Sequence, residues 1–554
     1  MHMPSKKHML AALATCSLLT ACGSDDNNSS NRDDESGKVK NLILMIGDGM
    51  GAQQIGLLEE YVRRAPNSHL DTKVTGLQKF AESGRMGLSL NAPMGDRPSL
   101  VVDSACSATQ LATGQGSISE AVGLDDAGNK AETILEKAKK MGKATGLISD
   151  TRLTHATPAA FASHQPHRSK ENDIAAELID SGMVDVMLGG GSRHWVPNAD
   201  DFGPMAEQLN APSHVIKKSK RDADDDRNVI LDAKDAGYSL AFTKTQMNAA
   251  TGTKLLGLFD DSAMNDGIEY TACQNGSDSS KCVDEPSLAD MTKKALDILS
   301  QDEDGFFLMI EGGQIDWAGH VNDTGWLLHE MLKFNEAVEA VYEWVEARED
   351  TLVVITGDHE TGGFGFSYHK HEIPEAEALA GNGMKDEPYK PQYNFGSLDT
   401  LDKIYAQSRS FYDIFDEIDG DWDFRVSDSA DWLTAVNNSV HSDFHVDAEA
   451  AARIAARKDA KPEQIHEDHK YLKHTDIPAI NDFADFYVYA NEDQGPLIAR
   501  ELAATQSVTW GNGTHTAAPV PVYAFGPSEV TDKFSTLQHH IELGQKMIDA
   551  LIVE

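Results

Sequence analysis

The chain has 554 residues, and 40% of them are hydrophobic, which is enough to bury a sizeable core. It carries 48 Lys and Arg against 89 Asp and Glu, so its formal net charge is −41. Nucleic acid and anionic membrane surfaces need a basic protein face, so this balance argues against both as partners. The acidic residues are spread along the chain, which favours a soluble surface. The length allows several domains or one large α/β domain with insertions.

The first residues have the pattern of an export signal. Two lysines precede residues 9–21, a mostly apolar run that is shorter than the roughly 20 residues a bilayer crossing needs. Residues 19–23 read Leu-Thr-Ala-Cys-Gly, which resembles a bacterial lipoprotein cleavage box. We therefore predict that residues 1–21 are a signal peptide and that Cys22 becomes the lipidated first residue of the mature chain. The alternative is an ordinary signal peptide cut near Ala21.

Residues 22–40 are rich in Asp, Asn and Ser and predict a polar tether. The mature protein is then expected in the bacterial cell envelope, periplasm or outer membrane, with membrane contact only through the lipid on Cys22. Cys273 and Cys282 flank a turn-like loop, and in an exported protein they are predicted to form a disulfide. Cys106 is left single, and a buried, unreactive thiol is its expected state.

Apolar runs alternate with helical patterns through residues 41–368, and the same alternation returns in residues 493–554. This order predicts an α/β fold with a large, mostly parallel sheet and helices on both faces. The intervening residues 369–492 are acidic, carry aromatic side chains and show little strand pattern. We interpret them as a large insertion in one catalytic domain.

Metal-ligand side chains stand where three apolar runs end. The runs cover residues 41–46, 306–310 and 351–356, and chemistry in open α/β sheets gathers at such strand ends. The side chains that follow them are Asp48; Glu311, Asp316 and His320; and Asp358 with His359. Asp316 and His320 are four residues apart, so one helical turn directs both the same way, and this pair suits zinc. One such carboxylate is usually a helix cap or turn former, but three repeats favour a metal site.

Further polar residues complete a candidate site. Ser104 follows Asp103 where the chain turns into an Ala-rich helix, and free N–H groups at a helix start favour an alkoxide or a phosphate ester. The simpler interpretation is that Ser104 only caps this helix. The Thr157 hydroxyl suits magnesium, and the Arg168 guanidinium suits phosphate oxygens. His515 lies in a Gly-rich turn, where a histidine is more often solvent-facing or part of the core than a metal ligand.

Together these residues resemble the alkaline phosphatase family. The matching segments, in the family's order, are Gly47-Asp48-Gly49-Met50-Gly51, Asp103-Ser104-Ala105, Ala156-Thr157-Pro158-Ala159-Ala160, Arg168, Glu311-Gly312 with Asp316 and His320, Gly357-Asp358-His359-Glu360-Thr361-Gly362-Gly363, and Thr514-His515-Thr516. The Asp-Ser-Ala and Gly-Asp-His-Glu-Thr-Gly-Gly segments are the most specific of these. The matches span residues 41 to about 527, which is most of the chain.

The resemblance implies two zinc ions and one magnesium ion. The implied ligand sets are Asp316, His320 and His515 for one zinc, Asp48, Asp358 and His359 for the other, and Asp48, Thr157 and Glu311 for magnesium. Ser104 would form a phosphoserine during hydrolysis of phosphate monoesters, and Arg168 would bind two phosphate oxygens. The family also implies a homodimer, with residues 369–492 as a crown at the dimer contact or a lid at the site entrance.

Two residues depart from the enterobacterial pattern of the family. His155 stands where that pattern has aspartate, and Trp317, directly after Asp316, stands where it has lysine. The pair resembles the marine, cold-adapted bacterial branch. Loss of the lysine removes a positive charge near bound phosphate, so we expect weaker product binding and faster release. The histidine leaves open whether magnesium or a zinc-type ion takes the third site.

Two other functions are compatible with the same scaffold. A metal-dependent phosphodiesterase or a sulfatase usually places a threonine, or a modified cysteine or serine, at the nucleophile within other motifs. The Asp103-Ser104-Ala105 segment argues against both. The other alternative is a zinc-binding surface lipoprotein without activity. Metal storage would need neither Ser104 nor Arg168, so the sequence favours the phosphatase.

Overall fold

The computed structural model describes residues 39–425 and 427–552. The predicted signal peptide (residues 1–21), the lipidation at Cys22 and most of the predicted tether lie outside the described residues. The folded part of the chain includes Val39, which is buried. The Lys40 N–H donates to the Asp350 carbonyl at 2.8 Å. The folded body therefore begins before the predicted tether boundary at residue 40. No helix in the described part of the chain has the length and apolar character that a bilayer crossing requires.

Strands and helices alternate along most of the chain. The strands are β1 (Asn41–Gly47), β2 (Arg85–Leu90), β3 (Ala144–Arg152), β4 (Val186–Gly190), β5 (Ser239–Ala241), β6 (Leu255–Leu258), β7 (Phe306–Gly312), β8 (Thr351–Gly357), β9 (Glu360–Thr361), β10 (Gly365–Phe366), β11 (Arg457–Asp459), β12 (Asp476–Pro478), β13 (Val508–Thr509), β14 (His515–Thr516), β15 (Val520–Phe525) and β16 (Leu537–His539). The helices are α1 (Ala52–Arg64), α2 (Gly76–Ser83), α3 (Ser104–Thr113), α4 (Ile134–Lys140), α5 (Ala156–Ala159), α6 (Glu171–Asp180), α7 (Gly203–Leu209), α8 (Val229–Asp235), α9 (Lys244–Ala249), α10 (Gly267–Gln274), α11 (Leu288–Leu299), α12 (Gln314–His320), α13 (Thr324–Val345), α14 (Asp399–Tyr405), α15 (Phe411–Ile418), α16 (Ser429–Ser439), α17 (Ala448–Ile454), α18 (Gln494–Gln506), α19 (Ser528–Thr531) and α20 (His540–Ile552).

The main sheet has the strand order β16-β2-β15-β8-β1-β7-β3-β4-β6-β5 over the residues that the structure describes. Its central pairs are parallel, and β15 is the antiparallel member, bonded to β2 and β8. Alternate residues of β1 enter two separate hydrophobic clusters, with Leu42 and Leu44 in one and Ile43 and Met45 in the other. Both faces are therefore covered, as parallel sheets require. The predicted fold class is confirmed.

The register of the three central strands places their polar ends side by side. Gly47 at the end of β1 is paired with Gly312 of β7 and with Gly357 of β8. Every residue of these three strands is buried, and each strand ends in a glycine just before or after a polar ligand-type side chain. The segments that follow must therefore share one edge of the sheet, where chemistry gathers in open α/β folds.

The region predicted as an insertion is part of the body rather than a separate domain. All described residues belong to one compact unit. Helices α14 to α17 supply side chains such as Ile404, Phe411 and Trp432 to the larger hydrophobic cluster. Asp323, which caps α13, accepts from the Gln407 amide at 2.8 Å and from the Phe411 N–H at 2.8 Å. These buried hydrogen bonds fix the start of the region to the long core helix.

Three cysteines lie in the described part of the chain, two in a disulfide and one as a free thiol. The sulfur atoms of Cys273 and Cys282 are bonded at 2.19 Å and close the short loop after α10. Cys106 is free and buried in α3, and burial raises the pKa of its thiol well above the usual value. A thiol in that state is inert, because the thiolate is the reactive form.

His329 of α13 makes the fold sensitive to acid. Its Nε2 lies 2.9 Å from the Tyr405 carbonyl and its Nδ1 lies 3.0 Å from the Thr271 hydroxyl, so a neutral ring donates to the first and accepts from the second. Burial lowers the pKa of His329 to about 4. This pKa lies below the pKa of the same histidine in the unfolded chain, so the unfolded state takes up the proton first as the pH falls.

We therefore expect the contribution of His329 to be complete above pH 6.5 and lost between pH 6.5 and about 4, at a cost of roughly 3 kcal/mol in the free energy of unfolding. Urea denaturation of the wild type and of His329→Gln at about pH 7 and about pH 4.5 measures this. The variant should lose less stability on acidification. The same loss in both proteins would contradict the prediction.

Candidate active site

The turn after β1 brings Asp48 into the centre of the site. Gly49 has a φ of +76°, and a Cβ there would lie 2.8 Å from the Asp316 Cα, so only glycine fits this close approach. The Gly49 N–H donates to the Asp358 Oδ1 at 3.0 Å. This hydrogen bond joins the end of β1 to the end of β8, and Asp48 is fully buried between them.

The first group of ligand-type side chains joins α12 to the β14 ribbon. The His320 Nε2 lies 3.2 Å from the Asp316 Oδ2, one helical turn apart as predicted. The His515 Nε2 lies 3.2 Å from the His320 Nε2 and 3.5 Å from the Asp316 Oδ1. His515 reaches this position because β14 pairs with β9, where it stands opposite Thr361. The other ring nitrogens are fixed by the Gly513 and Val102 carbonyls.

The second group lies beside Ser104. The His359 Nε2 is 3.1 Å from the Asp358 Oδ2, 3.4 Å from the Asp48 Oδ1 and 3.2 Å from the Ser104 Oγ. The rings of His359 and His515 stack with centroids 3.5 Å apart, so the first two groups are neighbours. All three members of the second group are fully buried.

The third group joins β7 to the β3–α5 loop. Asp48, Glu311 and His155 each offer an atom within 4.8 Å of the others. The Thr157 hydroxyl donates to the Asp48 Oδ2 at 3.2 Å, so the predicted threonine is also present. The His155 Nδ1 is buried without a hydrogen-bond partner. The site therefore offers an imidazole nitrogen next to its oxygens, a donor set that accepts zinc-type ions as well as magnesium.

The electrostatics of the ligand groups favour bound cations. The Asp48 Oδ1, Asp358 Oδ2 and Glu311 Oε1 atoms are buried without hydrogen-bond partners among the described residues. Burial, followed by the charges of Asp358, Asp316 and Glu311, raises the pKa of Asp48, and burial raises the pKa of Glu311 to about 8. Carboxylates so crowded are stable in ionised form only with positive charge between them. The residues present therefore fit three bound metal ions.

Ser104 stands at the first position of α3, and the preceding residue caps the helix. The Asp103 carboxylate accepts from the N–H groups of Ala105 at 3.1 Å and Cys106 at 3.3 Å. The simpler interpretation of Ser104 as the helix cap is therefore wrong, and its hydroxyl is free to face His359. The Arg168 Nη1 lies 3.2 Å from the Asp103 Oδ2. Asp103 thus orients both the helix start and the arginine.

Trp317 lines the same space from α12. Its ring meets His155 edge-on with centroids 5.9 Å apart, and the Arg152 guanidinium lies 5.8 Å from its centre. The Arg168 Nη2 lies 3.2 Å from the His155 Nε2. His155 and Trp317, the two residues that depart from the enterobacterial pattern, therefore contact each other, and His155 also contacts Arg168.

Several residues around the site gave no signal in the sequence. The Tyr489 ring packs edge-on against His320 with centroids 4.5 Å apart, and the Tyr412 hydroxyl donates to the Glu492 carboxylate at 3.0 Å. Thr361 differs from these residues, because it lies in the Gly357–Gly363 motif although no role was predicted for it; its hydroxyl donates to the Asp316 Oδ1 at 2.5 Å. The tyrosines and Glu492 come from the predicted insertion, where no periodicity or motif marks them. Tyr489 and His320 are far apart in sequence, so their contact is visible only in the folded structure.

Comparison with known proteins agrees with this geometry. The family description "alkaline phosphatase" matches residues 39–553 of the chain. Alkaline phosphatase 3 of Bacillus subtilis (strain 168) is 30% identical over 555 residues, which cover 97% of each chain. The alkaline phosphatase of Escherichia coli (strain K12) is 30% identical over 370 residues, which cover 60% of this chain and 73% of that one.

Solved structures show the same fold. The alkaline phosphatase of Thermus thermophilus superposes with a TM-score of 0.68 at 22% identity, over 93% of this chain and 91% of that chain. The cold-active alkaline phosphatase of the psychrophile Shewanella sp. gives 0.64 at 24% identity, over 93% and 100%. The chain belongs to the alkaline phosphatase family. It is therefore a phosphoric monoester hydrolase of a metal-dependent family.

Proposed function

We propose that this protein hydrolyses phosphate monoesters through a phosphoserine at Ser104, with two zinc ions and one magnesium ion as cofactors. The observation that carries the proposal is the position of the Ser104 hydroxyl, 3.2 Å from His359 of the second ligand group. The carboxylates of the second and third groups have buried oxygens without hydrogen-bond partners among the described residues. Asp316, His320 and His515 would hold one zinc, Asp48, Asp358 and His359 the other, and Asp48, Thr157, Glu311 and His155 the third ion.

When bound, the divalent ions supply charge stabilisation and lower the pKa of a hydroxyl or a water. Ser104 sits at the start of α3, where backbone N–H groups and the helix dipole favour negative charge on its oxygen and on an attached phosphate. Arg168, held by Asp103, can bind two phosphate oxygens with its planar fork. Ser104 and Arg168 would thus hold a phosphate group next to the serine oxygen.

The reaction then follows two displacements at phosphorus. The Ser104 hydroxyl gives its proton to solvent, its oxygen bonds to phosphorus, and the phosphorus–oxygen bond to the alcohol breaks. The alcohol leaves with a proton from solvent. A water then adds to the phosphoserine, which releases inorganic phosphate and restores the Ser104 hydroxyl. Arg168 holds the transferred group through both steps and keeps its orientation.

A Ser104→Ala variant tests the mechanism. We expect release of p-nitrophenol from its phosphate monoester to fall by at least a thousandfold, because the attacking oxygen is gone. Zinc and magnesium content should stay as in the wild type, since Ser104 belongs to none of the proposed ligand groups. Chelation of the wild type should also abolish the activity and lower the melting temperature.

The controls separate the alternatives. The phosphate diester and the sulfate of p-nitrophenol should react much more slowly than the monoester. A wild type that prefers the diester or the sulfate would favour the phosphodiesterase or sulfatase hypothesis. Full activity in the Ser104→Ala variant, or no activity in metal-loaded wild type, would overturn the proposed mechanism.

Trp317 sets the strength of product binding in this proposal. A Trp317→Lys variant places an ammonium next to the phosphate position, so the inhibition constant for inorganic phosphate should fall roughly fivefold, for about 1 kcal/mol of added attraction. A Trp317→Phe variant keeps the apolar character and serves as the matched control. Steady-state inhibition at constant ionic strength measures both. Tighter phosphate binding by the wild type than by the lysine variant would contradict the prediction.

We also propose a lipid-anchored homodimer in the cell envelope. Residues 367–398 form an arm whose residues are almost all exposed, and its backbone is held by two isolated bridges, His369 with Asn394 and Glu377 with Tyr389. Large apolar side chains are exposed along the arm and its base: Phe366, Tyr368, Ile373, Leu379, Tyr389, Tyr393, Phe395 and Leu398. Ordering such a segment costs about 1–2 kcal/mol per residue. Packing against a second copy of the chain would supply the missing burial.

Light scattering of the mature protein tests the dimer. The wild type should have twice the mass of one chain at micromolar concentration, and a Tyr393→Glu, Phe395→Glu double variant should shift towards monomer, because the new charges would be buried in the interface. Met141→Glu, at a comparably exposed apolar side chain outside the arm, is the control and should stay dimeric. A monomeric wild type would contradict the proposal.

A further inference from the structure

A buried ion cluster lies behind the third ligand group. The Lys333 ammonium of α13 is 2.7 Å from the Glu330 Oε2 and 3.1 Å from the Asp150 Oδ2, and all three residues are at most 4% exposed. The ammonium also donates to the Asn265 carbonyl at 3.2 Å. None of these residues belongs to the three ligand groups, and none is part of a motif found in the sequence.

The other carboxylate oxygen of Asp150 reaches the chain segment that carries the ligands. The Gly313 N–H donates to the Asp150 Oδ1 at 2.7 Å, and the Gln314 side-chain amide donates to the Asp150 carbonyl at 3.2 Å. Gly313 and Gln314 form the turn between Glu311 at the end of β7 and Asp316 in α12. Lys333 is thus linked through Asp150 to the turn between two proposed metal ligands.

This turn has no space in which to shift. A Cβ on Gly313 would lie 2.6 Å from the Thr151 Cγ2 and 3.1 Å from the Glu311 Cδ. The neighbours of Asp150 in β3 hold Glu311 directly: the Thr151 hydroxyl lies 3.3 Å from the Glu311 Oε2, and the Ser149 hydroxyl donates to the same oxygen. A movement of Asp150 would therefore displace the carboxylate of Glu311.

Stability alone does not account for this cluster. Burying three charges costs several kcal/mol per ion, and well-packed apolar residues of similar volume are often as stable or more so. Two carboxylates share one ammonium, so the cluster also adds negative charge behind an already acidic site. A positioning role explains both features, because an ammonium held between Glu330 and Asp150 fixes the direction of the Asp150 carboxylate.

We infer that Lys333 and Asp150 are positioning residues for the third metal site, and that they fix the turn from which Glu311 and Asp316 project. The inference rests on the proposed function, since it assigns a role around the same site. Its physical content is geometric: the Gly313 N–H needs an acceptor, the Asp150 carboxylate supplies it, and Lys333 keeps that carboxylate directed at the turn. Residues around metal ligands typically change metal affinity or activity by 10–100-fold.

Three variants test the inference in the zinc-loaded full chain. We expect Asp150→Ala, which removes the acceptor, to weaken Mg²⁺ binding by 10–100-fold in calorimetric titration with Mg²⁺ alone. Lys333→Met, which leaves Asp150 without its ammonium, should weaken it to a similar degree. Asp150→Asn keeps an oxygen for Gly313 but loses the ionic partner, so its affinity should lie between those of wild type and Asp150→Ala. Activity should follow Mg²⁺ occupancy and recover at high Mg²⁺.

The control separates positioning from stability. Lys139→Met removes the 2.6 Å ion pair between Lys139 of α4 and Asp185, the residue before β4, and should lower the melting temperature without changing Mg²⁺ affinity. If Lys333→Met does not fold, the Mg²⁺ affinities of the two Asp150 variants test the inference. Mg²⁺ affinity within twofold of wild type in Asp150→Ala, with an active wild type, would overturn the inference. An inactive metal-loaded wild type would instead overturn the proposed function.

Discussion

The structure depends on the alignment of three parallel strands at one edge of the sheet. Gly47, Gly312 and Gly357 stand in register, so the segments that follow β1, β7 and β8 are forced into one small volume. Acidic or imidazole side chains stand at or within a few residues of each strand end. Because Gly49 has no Cβ, the turn after β1 can approach the Asp316 backbone closely. The resulting concentration of buried carboxylates is costly for the protein alone, and it becomes favourable only with divalent cations among them.

The region between residues 369 and 492 has two distinct roles in this arrangement. Its helices pack into the core and are attached to α13 through Asp323, while its end places Tyr489 and Glu492 at the margin of the site. The arm of residues 367–398, by contrast, buries little against its own chain. The region thus joins the surroundings of the proposed active site to the surface on which we place the second copy.

Sequence reasoning succeeded where the physics is local. Continuous apolar runs predicted the central strands, because both faces of a parallel sheet are covered. The four-residue spacing of Asp316 and His320 corresponds to one turn of α12 in the structure. Helix α11 (Leu288–Leu299) begins where Ser287 caps it with reciprocal hydrogen bonds to Asp290, a local signal that the sequence carries. Family resemblance supplied the grouping of ligands from distant segments, which spacing alone could not give.

The sequence by itself therefore determined the fold class, the strand-end carboxylates, the serine behind Asp103 and the family to which the chain belongs. Only the tertiary structure decided which side chains surround those residues: the edge-on contact of Tyr489 with His320, the buried pairing of Lys333 with Asp150, and the attachment of residues 399–454 to α13. The physical reason is that periodicity and capping act over a few residues and leave a pattern in the chain. Contacts between residues far apart in sequence depend on how elements pack, and a single sequence carries no pattern for them.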